Sequence, residues 1–335
     1  MLRASPLVAL AVALAFAPAF AQSPPDADAK SYANQSYPNR TVRMIVPFPP
    51  GGPADIIARV VAQKMSEDWG QPVVIDNRAG GNTAIGAQAA ARAAADGYTL
   101  FVPMDTTMVM NPLVTPNLPY DALKDFAPIT LLTRNMSLVV VRSDGPRTIK
   151  ELVAKAKANP GKLNMGAGTL TSRLGALLFA KTAGIDVQLV PFKGSAEIGQ
   201  AVLAGTVDFA LDSSGTSLPL IQGGHYRALA KYSNRPLSVL PDLPSLSVAA
   251  ELPALEESST WIALAAPAGT APAIVDKVHR EVASIYADPA MIAKLEKVGI
   301  LAVASATPAE LEAFIRSETE RWSKVLKESG NVRLD

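Results

Sequence analysis

The stretch Arg43–Arg59, RMIVPFPPGGPADIIAR, constrains this chain more than any other. Met44, Ile45 and Val46 suit a buried strand. Pro47 through Pro53 hold four prolines and two glycines, which can continue neither a strand nor a helix. From Ala54 onward Ile56, Ile57, Val60, Val61 and Met65 fall at helical spacing. A strand, a Pro/Gly turn and a helix N-terminus in that order aim free backbone amides at one point. Such a turn holds an anion without any charged side chain.

The unit recurs. Val73–Asp76 feeds Asn77–Asn82 and an alanine-rich helix, and Thr99–Val102 leads to the polar tip Asp105-Thr106-Thr107. Ile129–Leu132 and Leu138–Val141 read as two further strands. The pattern then restarts: Leu163–Gly166 feeds Gly168–Arg173, Val187–Val190 feeds Pro191–Ser195, and Phe209–Leu211 feeds Asp212–Thr216. Thr148–Glu151 and Thr307–Glu310 are capping boxes that open helices, and Ser195 is a candidate N-cap. Strands alternating with helices predict an α/β fold with mostly parallel sheets. The two runs predict two lobes, with polar strand tips facing each other across a cleft.

The N-terminus sets the compartment. Arg3 precedes an apolar run, Leu7–Ala17, that is too short to span a membrane, and Ala19-Phe20-Ala21 is a small-x-small cleavage site. Residues 1–21 are therefore expected to be a signal peptide cleaved after Ala21, with 22–37 a disordered leader. The absence of cysteine excludes a lipid anchor at a lipobox, disulfide staples and thiolate chemistry. A net charge of +1 with both signs scattered gives no basic face for nucleic acid. No nucleophile elbow, phosphate loop or paired-histidine zinc motif occurs, and neither His225 nor His279 falls at a strand tip, so no metal, cofactor or enzymatic role is expected.

Taken in order, Ile45–Asp55 (IVPFPPGGPAD), Asp96–Leu100 (DGYTL), Leu118–Ile129, Val190–Ser195 (VPFKGS), Ala204–Asp208, Leu240–Ser245 (LPDLPS) and Trp261–Thr270 (WIALAAPAGT) resemble a known family. It is that of the substrate-binding proteins of tripartite tricarboxylate transporters, the Bordetella uptake gene receptors. The resemblance implies a two-lobe, Venus-flytrap periplasmic binding protein, type II-like. Its domains would be 38–138 plus 259–335 and 139–258. It further implies a monomer that captures a small carboxylate between the lobes and delivers it to the transporter's membrane subunits. A periplasmic ligand-sensing subunit of a two-component system is the alternative.

Candidate ligand contacts follow from the same loops. Pro50, Gly51 and Gly52 match the family's first ligand loop, where a Cβ at Gly51 would block the approach of a carboxylate; the other reading is an ordinary tight turn. Phe48 lines the pocket or belongs to the core. Gly80, Gly81 and Asn82 match the second loop. Gly168, Thr169, Thr171 and Ser172 offer donors to an anion or cap the next helix. Arg173 departs from the histidine common nearby in the family, and is either a bidentate carboxylate clamp or a solvated helix residue. Ser195 is favoured over Lys193 as a contact. Asp105 accepts from a ligand amine or hydroxyl, or else caps the following segment, beside Thr106 and Thr107. Asp212 matches a loop where relatives carry an aspartate that orders the hinge or the ligand's water.

Overall fold

A computed structural model of the chain describes residues 37–253, 255, 259–297 and 299–328. The expected signal peptide and the leader up to residue 36 lie outside the described residues. Tyr37, the last residue assigned to that leader, is held in place: its hydroxyl donates to Gly97 O at 2.8 Å, and its ring packs edge-on against Trp69 and Tyr98.

The chain runs β1 (Val42–Val46), α1 (Pro53–Trp69), β2 (Val73–Asn77), α2 (Ala84–Ala91), β3 (Thr99–Phe101), a π-helical turn at Thr106–Met110 and α3 (Asn111–Val114). There follow β4 (Phe126–Arg142), α4 (Ile149–Ala158), β5 (Asn164–Ala167), α5 (Leu170–Ala183), β6 (Gln188–Pro191), α6 (Ser195–Leu203) and β7 (Phe209–Ser213). The remainder is α7 (Ser214–Gln222), β8 (Tyr226–Lys231), α8 (Leu246–Ala249), β9 (Ser259–Pro267), α9 (Pro272–Tyr286), α10 (Pro289–Lys297) and α11 (Pro308–Glu328).

The strands order as β2-β1-β3-β9-β4-β7-β5-β6, with β8 also on β4. β1 pairs in parallel with β2 and β3, and β5 pairs in parallel with β6 and β7, as alternating strands and helices require. β9, β8 and β4 run antiparallel to their neighbours, so both sheet regions are mixed.

Two expected strands, Ile129–Leu132 and Leu138–Val141, are one strand of 17 residues. The polar run Thr133-Arg134-Asn135 interrupts the apolar pattern without ending the strand, because β9 keeps its backbone paired from Phe126 to Met136 through two register shifts. From Ser137 the partners change to β7 and β8. β4 therefore carries the chain from one sheet region into the other.

Both regions are buried on two faces by the period-2 alternation of their strands. In β1, Met44 and Val46 pack with Ile57, Val61 and Met65 of α1 and with Val278 and Val282 of α9. Ile45 joins the opposite cluster, which holds Phe101, Trp261, Leu311 and Trp322. In β4, Val139 and Val141 face Leu152 and Phe179, while Leu138 and Val140 face Ile198 and Val202. These layers leave the carboxyl ends of β1, β5, β6 and β7 to open on a common cleft.

Candidate binding cleft

The first wall of the cleft is the turn after β1. Gly52, in extended conformation, is the N-cap of α1, and Pro53 follows at a position where a missing amide costs no hydrogen bond. Asp55 holds this turn from beneath. Its Oδ2 accepts from Gly51 N at 3.0 Å and Arg59 Nε at 2.9 Å, and its Oδ1 accepts from Asn77 Nδ2 at 2.9 Å. Asn77 Nδ2 also donates to Phe48 O at 3.1 Å. Burial pushes the Asp55 carboxyl up, but Arg59, the Gly51 amide and Asn77 outweigh it and hold it below the usual carboxylate range. The Gly51 amide is thus occupied from within the protein. Phe48, Pro49, Pro50, Gly52 and Ala54 line the cleft.

The opposite wall comes from the second sheet region: Gly168, Thr169 and Ser172 after β5, Gly194 to Ile198 after β6, and Leu211 to Ser213 at the end of β7. Thr169 and Ser172 form a capping box, with Ser172 N donating to Thr169 Oγ1 at 3.1 Å and Thr169 N donating to Ser172 Oγ at 3.0 Å. The capping reading of these residues is therefore present in the geometry, and both hydroxyls donate within the box, Thr169 Oγ1 to Ser172 Oγ at 3.1 Å and Ser172 Oγ to Thr169 O at 3.0 Å. Ser195 lines the cleft as the first residue of α6, whose N-cap is Gly194 and not the serine.

Asp212 lies at the floor, 3 % exposed. Its Oδ2 accepts from Ser217 Oγ at 2.9 Å and Thr216 Oγ1 at 3.1 Å, whereas its Oδ1 has no hydrogen-bond partner among the described residues. Burial raises the affinity of this carboxyl for a proton, against the opposing pull of Ser195, Ser217, the Ser213 amide and Thr216.

A second chamber adjoins the first across Phe48, Pro49, Gly168 and Thr169. Gly80, Gly81, Asn82, Thr83, Thr106, Arg173, Phe192 and Lys193 complete it. Gly86 lets α2 approach the first loop so closely that a Cβ there would sit 2.7 Å from Pro47 Cβ and 2.8 Å from Arg78 O. Arg173 is not a solvated helix residue. One terminal nitrogen donates to Phe192 O at 3.0 Å, while its Nε is buried without a partner. Among the described residues no carboxylate pairs with it. Burial lowers its pKa, because the charged form loses hydration there.

Four expected contacts are not on the walls of either chamber. Gly51 faces open space: a Cβ added to it would have no atom within 4 Å, and its φ of +84° marks it as a turn residue. Asp105 is fully buried; Thr171 Oγ1 donates to its Oδ2, and Trp261 N donates to its Oδ1 at 3.4 Å. Its side chain makes no capping hydrogen bond to the following turn, and it is absent from the walls of both chambers. Thr171, also fully buried, is consumed by that contact. Thr107 Oγ1 donates to Thr83 Oγ1 at 3.0 Å, within a network that Asn111 Nδ2 extends to Asn82 O at 2.7 Å. Thr106, by contrast, lines the second chamber, and its hydroxyl is buried without a partner.

The walls also contain residues that the sequence pattern does not single out: Ser137 on β4, Thr260 on β9 and Met104. A serine between Met136 and Leu138 in a buried strand is the one available signal for Ser137. Asp55 is visible in sequence only as part of the PGGPAD motif.

An α/β fold of this kind, with a cleft where strand ends of two sheet regions meet, is the fold of the periplasmic binding proteins. A family model described as the tripartite tricarboxylate transporter family receptor matches residues 57–331, and the chain belongs to that family. Protein BugT of Bordetella pertussis is 34 % identical over 301 residues, which cover 88 % of this chain and 91 % of BugT. A structure from R. palustris solved with adipate has a TM-score of 0.84 at 32 % identity, covering 88 % of this chain and 98 % of that one. MatC from Rhodopseudomonas palustris, with bound malate, has a TM-score of 0.79 at 30 % identity, covering 87 % of this chain and all (100 %) of that one.

Proposed function

We propose that this protein is a periplasmic receptor that captures a small carboxylate in the cleft and presents it to the membrane subunits of a tripartite tricarboxylate-type transporter. The observation that carries the reading is Arg173, a half-buried guanidinium without a carboxylate partner among the described residues, set beside the Gly80–Asn82 loop and the unpartnered Thr106 hydroxyl. A carboxylate there supplies the missing charge and accepts from the orphaned donors. The adipate-bound and malate-bound relatives support the same ligand class.

Capture works by a difference in affinity between open and closed forms, so both walls must contribute contacts. The bodies that move are residues 38–138 with 259–335, and residues 139–258. The long strand β4 and its partner β9 are the natural hinge, since β4 belongs to both sheet regions.

Calorimetry of the purified protein against di- and tricarboxylates, hydroxy acids, aromatic acids and amino acids tests the reading. Binding by at least one carboxylate is expected. No heat from any of them, with native mass spectrometry showing no co-purified ligand, would overturn it. Delivery is read separately, as ligand uptake that requires both this protein and the membrane subunits.

A further inference from the structure

Resting on that receptor reading, we propose that Asp212 reads a hydrogen-bond donor on the ligand, so that the protein prefers a carboxylate bearing a hydroxyl or ammonium group to the same skeleton without one. The unpaired oxygen is the starting point. Ser217 and Thr216 both donate to Oδ2, while Oδ1, buried on the wall of the cleft, has no hydrogen bond of good geometry among the described residues, the Ser195 hydroxyl and Ser213 amide beside the carboxyl notwithstanding. Beside it the Ser213 hydroxyl, also on the wall, is buried without a partner. A buried acceptor left unpaired is costly, and a ligand that supplies the donor removes that cost.

The charge distribution points the same way. Among the described residues, the acidic ones that line this chamber are Asp212 and Glu197, and no lysine or arginine lines it. Glu197 is already engaged, since its Oε2 accepts from Lys193 N at 3.1 Å. The unpaired cation, Arg173, stands in the neighbouring chamber beyond Phe48, Pro49, Gly168 and Thr169. A carboxylate pressed against Asp212 brings Oδ1 no donor, whereas a hydroxyl or an ammonium does. The ligand therefore lies with a carboxylate toward Arg173 and its donor toward Asp212. Asp105, the other buried carboxyl near the strand tips, cannot serve, because Thr171 and the Trp261 amide occupy its two oxygens.

Matched ligands decide the question by calorimetry on the whole protein. They are succinate, malate and aspartate; glutarate, 2-hydroxyglutarate and glutamate; adipate and 2-aminoadipate. On any skeleton that binds, the hydroxyl or amino member is expected to bind at least tenfold more tightly, and the two arms tell hydroxyl from ammonium. Asp212→Asn, nearly isosteric, is expected to reduce that preference to less than threefold. Should the variant fail to fold by circular dichroism, the comparison within each wild-type series still decides. An unsubstituted acid that binds as tightly as its substituted partners overturns the role of Asp212 and leaves the receptor reading standing. If no carboxylate binds, both fall together.

Discussion

Thr171 on α5 donates its hydroxyl to Oδ2 of Asp105, the residue that precedes the π-helical turn after β3. The pair joins segments from both sheet regions inside the protein, where neither residue has measurable exposure. The Trp261 amide on β9 completes the carboxyl's partners. Removing the hydroxyl leaves a buried carboxyl short of a donor, so Thr171→Val should destabilise the fold by about 1–3 kcal/mol. Urea unfolding of the ligand-free protein measures this. A change within a few tenths of a kcal/mol would mean that the contact contributes nothing.

Burial pushes the Asp105 carboxyl up to about 7, with nearby Glu318 adding to the rise and Thr171 and the Trp261 amide opposing it. An unfolded chain ionises this group near the ordinary value of 3.8. Between those values the folded state holds the proton that the unfolded state has released, so this group's contribution to stability falls as pH rises from about 4 to 7 and is level above that. Asp105→Asn should abolish this part of the pH dependence. Melting temperatures of wild type and variant across pH 4.5–8 are expected to converge at the acid end and diverge, in favour of the asparagine, at the alkaline end.

Asp55 organises the first loop, and its loss should be felt in the cleft as well as in stability. Asp55→Asn leaves the Gly51 amide and Arg59 with a weaker acceptor, and should cost about 1–3 kcal/mol. Since the Asp55 carboxyl is held low, its stabilising contribution is present above about pH 4 and is lost as pH falls through the folded value. Gly51 carries a cost of its own. No protein atom lies within 4 Å of its Cβ position, so the cost of a side chain to the ligand-free fold arises from φ of +84°. Gly51→Ala should cost about 1–2 kcal/mol, and Gly51→Asn less, because asparagine tolerates positive φ better. Denaturant midpoints of the two variants test that order.

What the sequence made legible were the features written in local chemistry. The Pro/Gly turn ended β1 and began α1, and Thr148 caps α4 by accepting from Glu151 N, both as the residues require. What it hid depended on partners far along the chain. Thr133 to Asn135 read as a break because their polarity is local, while the pairing that keeps them in β4 comes from β9, more than a hundred residues later. Asp105 and Asp212 look equivalent in sequence, each an aspartate following a strand or at its end. Only the fold shows that one has both oxygens engaged while the other keeps one free. The lone signal for Arg173, its place in the Gly168–Arg173 loop, left clamp and solvated residue open; its half-burial against Phe192 depends on packing that no local pattern carries.

Arg173 gives the sharpest test of the cleft, because stability and binding should move in opposite directions. The folded protein bears the cost of a half-buried guanidinium whose Nε has no acceptor. Replacing it by a residue of similar length without charge removes that cost, so Arg173→Met should leave the ligand-free melting temperature unchanged or raise it. Binding depends on the same group. A carboxylate held by the guanidinium loses a charge-assisted pair, and affinity should fall about 30-fold or more, a loss of about 2 kcal/mol. Arg173→Lys keeps the charge but not the fork that meets a carboxylate with two parallel bonds, and should lie between. Calorimetry with the best carboxylate, set beside the melting curves, reads both quantities. Equal affinity in wild type and Arg173→Met would move the carboxylate away from this chamber, and a large drop in the melting temperature would mean that the arginine serves the fold.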